Sequence, residues 1–392
     1  MPTRTRTGGE GGKSRELKLE PAMQPTIDID DTIRAAIQAG AIVDFSLSGG
    51  KDSAATALAT TAWLDSVNHP VDRRSATHAH LGEIEWPQTI DHIRALAEHL
   101  TIPLATIAQG NGLIDRWRRR FAAALRRYAN LECYHLISPF SSASLRFCTG
   151  EMKTTPIRRS LGQRYPNQTV ISVVGLRADE SLRRAGTQIS KIDQCSSARS
   201  QRPTIITWHP IRQWSIADVL EAHSESKIPL HYAYTHHNMT RLSCSFCVLA
   251  SNQDLTNAAR SNLNTAAHRA IAALEIESTF SFQPTRWLAD LDPPSELQMA
   301  IAQAKRKALE RRSLEASLPS DLKYIKGWPP RVPDYDEARA IADVRRTILA
   351  HHHLDTPYPT PSKIIDRFAE LHARSLPTIS TIGGEGGGQP CS

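Results

Sequence analysis

Ala41-Ile42-Val43-Asp44-Phe45-Ser46-Leu47-Ser48-Gly49-Gly50-Lys51-Asp52-Ser53 reads as a buried strand, a tight glycine turn and the first residues of a helix. Ala41 to Phe45 is a short apolar run broken by one Asp. Gly49 and Gly50 can take positive φ and bring the backbone close to a ligand. Small, helix-compatible residues follow from Ala54 to Ala59, and Ser53 or Asp52 is placed to cap that helix. Backbone N–H groups at a helix start beside a glycine turn form an anion site. Lys51 adds a mobile positive charge, and Ser48 and Ser53 add hydroxyls. The spacing is not the Gly-x-x-x-x-Gly-Lys-Ser/Thr of the Walker loop.

Outward from this corner, strands alternate with helices. Residues 26–40 predict a helix, with Ile33, Ala36 and Ile37 at helical spacing. Residues 75–82 predict a second strand, followed by a helix to about Leu100 and a third strand over Leu104–Ala108. Residues 169–177 are strongly β-branched and predict another strand. Such alternation predicts an α/β fold with a parallel sheet. Ligands on these sheets sit at the carboxyl ends of strands, where the glycine turn and Leu81-Gly82 both fall. Trp117, Phe121 and Leu125 form a core stripe on a basic helix. Its arginines, Arg116 and Arg118 to Arg120, are read either as a solvated face or as a phosphate-binding one. Residues 186–204 are polar and read as a flexible loop, a substrate lid or a plain insertion.

From Asn252 the pattern turns helical, with helices expected over 255–274, 294–318 and 335–351 and proline-rich links between them. The expected organisation is a disordered segment at 1–25, an α/β domain at 26–250, a helical region at 251–375 packed on it, and a disordered tail at 376–392. No apolar run approaches the roughly 20 residues of a membrane helix, and the N-terminal residues lack the apolar core of a signal peptide. A cytoplasmic protein without a membrane partner is expected. The formal charge of +7 favours a polyanionic partner. Six cysteines in 392 residues do not make a disulfide framework. They are expected to be buried, metal-binding or reactive.

The order Ser48-Gly49-Gly50-Lys51-Asp52-Ser53 resembles the PP-loop of the ATP pyrophosphatase superfamily. Further motifs resemble its phosphoadenosine phosphosulfate (PAPS) reductase-like branch. They are His80-Leu81-Gly82 with Glu85-Trp86, Cys148 with Lys153 and Pro156, and Gly175-Leu176-Arg177-Ala178-Asp179-Glu180-Ser181-Leu182-Arg183-Arg184. The succession from Trp208 through Ile228-Pro229 and Tyr234 to Arg241-x-x-Cys244-x-x-Cys247 completes them. His80 stands where that branch commonly has an Asp, and Phe147 stands where cluster-bearing reductases carry a first cysteine. The resemblance implies ATP, with Mg²⁺, bound through Ser46, Ser48, Gly49, Gly50, Lys51, Asp52, Ser53, Leu81, Gly175 and Arg177. It implies catalytic roles for Lys51, Asp52, Arg177 and Glu180, and phosphate contacts for Lys153, Arg183 and Arg184.

Cys244 and Cys247 form a Cys-x-x-Cys pair that places two thiolates on one metal or cluster. The resemblance puts Cys148 beside them. Three readings stay open: a [4Fe–4S] cluster on these three cysteines, a Zn²⁺ site that adds His231, His236 or His237, or thiols without a metal. Cys133 or Cys195 could supply a fourth ligand. The leading functional expectation is an ATP pyrophosphatase that adenylates an acceptor for sulfur transfer. DNA or tRNA is the preferred acceptor, and a cysteine desulfurase a sulfur-donor partner. This is similar to the ATPase component of DNA phosphorothioation systems. One alternative is a PAPS reductase, which would need a distal catalytic cysteine, and Cys391 is the only one. The other is a non-catalytic nucleotide-sensing module of a nucleic-acid complex.

Overall fold

The computed structural model describes residues 26–193, 203–293, 295–323 and 328–375. The segments expected to be disordered at 1–25 and 376–392 lie outside these residues, as do Cys195 and Cys391.

Six strands form one sheet in the order β3-β2-β1-β4-β6-β5. They are β1 (Ile42–Ser46), β2 (Arg74–His80), β3 (Leu104–Ala108), β4 (Thr169–Val173), β5 (Ser190–Ile192) and β6 (Thr204–Trp208). All pairings are parallel except β5 with β6. The quoted apolar run is the central strand β1, with β2 on one side and β4 on the other. A strand covered on both faces needs an unbroken apolar run, so Asp44 within it calls for compensation. The fully buried carboxylate accepts hydrogen bonds from Ser75 Oγ (2.6 Å) and Thr77 Oγ1 (2.8 Å) on β2, and from Arg164 (3.2 Å).

Three differences from the expected elements stand out. β4 ends at Val173, so Gly175 to Arg177 belong to the connection beyond it. β5 falls inside the stretch read as a flexible loop, where a three-residue edge strand carries no periodicity to detect. Residues 26–30 are extended rather than helical, and they dock by Asp28 N to Pro210 O (2.7 Å) and Trp208 Nε1 to Asp28 O (2.8 Å).

The helices in the first part are α1 (Asp31–Gln38), α2 (Lys51–Ser66), α3 (Thr89–His99) and α4 (Leu113–Ala129). A single turn, α5 (Phe147–Thr149), runs through the π-helical Gly150–Thr154 into α6 (Thr155–Arg164). The short α7 (Leu182–Ala185), α8 (Ile216–Ser226) and α9 (Tyr232–His237) complete this part. The distal helices are α10 (Asn252–Ala259), α11 (Thr265–Ser278), α12 (Gln298–Ala316), α13 (Tyr335–His351) and α14 (Pro361–Ser375). The single helix expected over 255–274 is two, because the chain turns at Ser261 and Asn264, whose side-chain amide donates to the Ala258 carbonyl (3.0 Å). No helix among the described residues is long and apolar enough to cross a membrane.

The largest core runs across both parts of the chain. Trp117, Phe121 and Tyr128 of α4 share it with Phe282, Ile341, Ile348 and Phe368. Leu125 packs at its margin, so the aromatic stripe of α4 is core.

Candidate functional site

The strand order reverses between β1 and β4, the place where sheets of this kind bind ligands beyond the carboxyl ends of their strands. The glycine corner leaves β1 at this point and Gly175 leaves β4. Gly49 sits at φ +78°, and a Cβ on it would lie 3.1 Å from Thr89 Cγ2 and 3.3 Å from Leu242 Cδ2. A Cβ on Gly175 would lie 2.8 Å from the carbonyl carbon and oxygen of Asp52 and 2.9 Å from Ser53 Cα. The β4 connection therefore presses directly on the first turn of α2.

That turn is capped differently from the expectation. Gly50 is the N-cap, in extended backbone, and no side chain caps it. Ser53 Oγ instead donates to the Gly50 carbonyl (2.8 Å) and accepts from Ser48 N (3.3 Å). Ser48 Oγ lies 3.1 Å from Ser53 Oγ and accepts from Gly50 N (3.4 Å). Asp52 accepts from Arg177 Nε at 2.6 Å. Lys51 is folded back, with Nζ 5.1 Å from the centre of the Tyr234 ring and 3.6 Å from Asp52. Tyr234 OH accepts from Leu242 N (2.9 Å) and, at 3.4 Å, from Lys51 N. Burial pushes this phenol up to about 12.

Arg177 is buried, and its guanidinium also holds Asp179 at 2.5 Å. Burial alone would lower its pKa, but Asp52 and Asp179 carry it above the usual arginine value. Glu180 accepts from Arg177 N (3.4 Å) and pairs with Arg184. Burial pushes Arg184 down, followed by the like charge of Arg241, then, against the pull of Asp52, that of Arg146 and Arg177. Four guanidiniums thus act on one another beside the glycine corner, with Arg177 and Arg184 paired to carboxylates and Arg146 and Arg241 exposed. Arg183 is exposed, Ser46 ends β1 half-buried, and the Leu81 side chain lies in the core. Arg146, Arg241 and Tyr234 lay in stretches singled out from sequence, but no role followed from their spacing.

Other basic stretches are locally neutralised. On α4, Arg116 pairs with Glu151 (2.7 Å) and Arg119 with Asp115 (2.8 Å), while Arg120 lies 4.6 Å over the Phe147 ring. On α12, Lys305 pairs with Asp290 (2.5 Å) and buried Arg311 with Glu315 (2.9 Å).

Cys148, Cys244 and Cys247 pack against the same core, and the Cys244 thiol feels both other cysteines and Lys153, but the three sulfurs do not all lie within 4.8 Å of one another. Burial pushes the Cys244 thiol up to about 12; nearby Lys153 opposes this, while Cys247, Glu85 and Cys148 add to it. Cys133 is buried and likewise pushed up, to about 11. The α9 histidines have other engagements. His231 accepts from Ala233 N (3.1 Å) and lies 3.3 Å from Thr89 Oγ1. His236 stacks on Tyr232 (3.8 Å between ring centres) and His237 on Trp86 (5.0 Å).

At the end of β2, Glu85 Oε2 lies 3.2 Å from His78 Nε2 and 2.8 Å from His80 Nδ1. Burial pushes the Glu85 carboxyl up, but the hydrogen bonds and charges of the two histidines bring it below its usual value.

A family model of the phosphoadenosine phosphosulfate reductase domain matches residues 42–250, just over half of the chain. The chain belongs to this family. It is therefore a PP-loop protein of the PAPS reductase-like branch. The family is one of enzymes, and use of ATP and Mg²⁺ fits the PP-loop superfamily in general. No curated protein matches the chain. The crystal structure of a phosphoadenylyl-sulfate (PAPS) reductase from Candida auris, in a phosphate complex, is similar at 14% identity and a TM-score of 0.34. The similarity covers 55% of this chain and 86% of that one.

Proposed function

We propose that this PP-loop protein is an ATP pyrophosphatase that adenylates an oxygen acceptor, nucleic acid by preference, for sulfur transfer. The observation that carries the proposal is the grouping of Arg146, Arg177, Arg184 and Arg241 beside the glycine corner. Asp52, Asp179 and Glu180 offset part of this charge, while Arg146 and Arg241 are exposed, and guanidinium forks suit phosphate. The acceptor oxygen attacks the α-phosphorus of ATP, and the bond to the β-bridging oxygen breaks. Pyrophosphate leaves with that electron pair, while the acceptor proton passes to solvent. Backbone N–H groups of the PP-loop and the ammonium of Lys51 stabilise the departing charge. A sulfur nucleophile then displaces AMP from the acceptor.

Arg177, clamped between Asp52 and Asp179, positions the PP-loop as well as bearing positive charge. Glu180 holds Arg184 in the same way. Cys148, Cys244 and Cys247 would hold an iron–sulfur cluster; Lys153 is the one cation that favours the Cys244 thiolate against burial, so the bound iron would have to supply most of the charge that ionises it. Such a cluster would supply an open iron for sulfur.

A PAPS reductase reading is favoured by the family model itself. One assay separates the two. The protein is incubated anaerobically with ATP and DNA or tRNA, and AMP and pyrophosphate are measured. In parallel it is given PAPS with a thiol reductant, and sulfite is measured. AMP and pyrophosphate formation that falls at least about 100-fold in Lys51→Ala supports the proposal. Sulfite release without ATP cleavage rejects it in favour of the reductase.

A further inference from the structure

His78 and His80 lie two residues apart on β2, so both point to one face of the strand. The turn that follows, with Gly82 at φ +79° and Glu85 N bonded to Gly82 O (3.0 Å), brings Glu85 back over them. The ligand-capable atoms of all three residues lie within 4.8 Å of one another.

The protons of this group are constrained. His78 Nδ1 lies 2.9 Å from the Leu47 carbonyl, which can only accept. Nδ1 therefore carries the hydrogen, and in the neutral ring Nε2 has a lone pair. That lone pair faces a carboxylate oxygen 3.2 Å away, and the same oxygen already meets His80 Nδ1 at 2.8 Å. Two electron pairs so placed repel unless a cation lies between them. A second proton on His78, paired with the Glu85 carboxylate, is one such cation. A metal ion satisfies both rings and the carboxylate together.

We propose that His78, His80 and Glu85 hold a divalent transition-metal ion at the rim of the PP-loop. Ligands about 2.0–2.1 Å from a tetrahedral ion stand roughly 3.3 Å apart; Glu85 Oε2 already lies 3.2 Å from His78 Nε2, and it would have to draw back from His80 Nδ1, now 2.8 Å away. A backbone carbonyl on the far nitrogen of a ligating histidine fixes its tautomer and aims the ring, which is the part Leu47 plays. Two imidazoles and one carboxylate select Zn²⁺ or Fe²⁺ over Mg²⁺ and Ca²⁺, which prefer oxygen ligands throughout. Three protein ligands leave a coordination position open to water or to an oxygen of a bound molecule. Leu47 immediately precedes Ser48, so the ion would be tied to the PP-loop through one hydrogen bond. The assignment is independent of which nucleotide the loop holds and of what the cysteines carry.

Co²⁺ titrated anaerobically into the full-length protein, followed by absorption and equilibrium dialysis, tests the site. His80→Ala, whose parent side chain is 40% exposed, is the variant best placed to fold normally; its circular dichroism is compared with wild type. Expected are one equivalent of Co²⁺ at this site and an affinity loss on the order of 100-fold in His80→Ala and in Glu85→Gln. The Cys244→Ser/Cys247→Ser variant should retain that equivalent, with the ligand-field bands unchanged and no thiolate charge-transfer band. Zn²⁺ should raise the melting temperature of wild type and not of His80→Ala. The proposal is overturned if wild type binds no more Co²⁺ than the two site variants. It is equally overturned if both of those variants retain the ion and only the cysteine variant loses it.

Discussion

Gly175 shows how a residue with no side chain governs the site. Any Cβ there meets the Asp52 carbonyl at 2.8 Å, and the Asp52 side chain is the partner of Arg177. Gly175→Ala must push α2 away from β4 or tilt its first turn, which is overpacking against backbone and costs about 1–3 kcal/mol. The expected outcome is a lower denaturation midpoint together with weaker ATP binding, read by urea unfolding and calorimetry. A normal affinity in the folded variant would show that the loop geometry is not set from beneath. Lys51 differs in kind. Its ammonium rests over the Tyr234 ring beside Asp52, and Tyr234→Phe keeps that ring but removes the acceptor of Leu242 N and Lys51 N, so it should disturb the loop backbone more than the chemistry. The expected signature is a changed KM for ATP with kcat nearly preserved; a collapse of kcat would place the phenol in the chemical step.

Among the elements, α11 is anchored to the loop after it by one carboxylate. Glu275 accepts from Phe282 N (2.6 Å), Leu288 N (3.0 Å) and Ala289 N (2.7 Å), and it is fully buried. Burial raises its pKa from 4.5 to about 7, despite the three N–H donors. A carboxyl that holds its proton more tightly when folded stabilises the fold fully below pH 4.5, and this contribution fades as pH rises through about 7. Glu275→Gln replaces one acceptor oxygen by a donor and leaves a backbone N–H without a partner, at about 1–3 kcal/mol. Wild-type stability should therefore fall between pH 4.5 and 7 relative to the variant. Parallel stability curves for the two proteins across this window would refute the titration.

For the whole molecule, the decisive feature is the shared core of α4 and the distal helices. Arg345 of α13, 1% exposed, lies 4.5 Å over the Tyr128 ring and donates to the Tyr128 carbonyl. Trp117 and Phe121 are each 1% exposed under this cover. Burying such side chains is worth about 1.5–3 kcal/mol apiece. A chain ended after Ala250 should consequently fail to fold as a well-packed domain, seen as strong dye binding and loss of the cooperative melt. A sharp melt in the truncated chain would make the distal helices dispensable. Meanwhile part of the positive charge on the basic helices is offset by the ion pairs of Arg116, Arg119 and Arg311. Beside the glycine corner, four guanidiniums and Lys51 meet the carboxylates of Asp52, Asp179 and Glu180, which leaves an excess of positive charge there.

From sequence alone, the order along the chain determined a great deal. The glycine corner, four of the strands and the span of α13 follow from short-range pattern, because turn chemistry and apolar periodicity are local properties. The resemblance also named Lys51, Asp52, Arg177 and Cys244 in advance. Tertiary structure decided what those residues touch. Asp52 meets Arg177 across 125 positions, and His78 is fixed by Leu47 across 31. Whether Glu85 completes a triad or merely ends a turn depends on where the strand before it stops. Such pairings arise from sheet order and from its reversal between β1 and β4, and neither is written in the spacing of neighbouring residues.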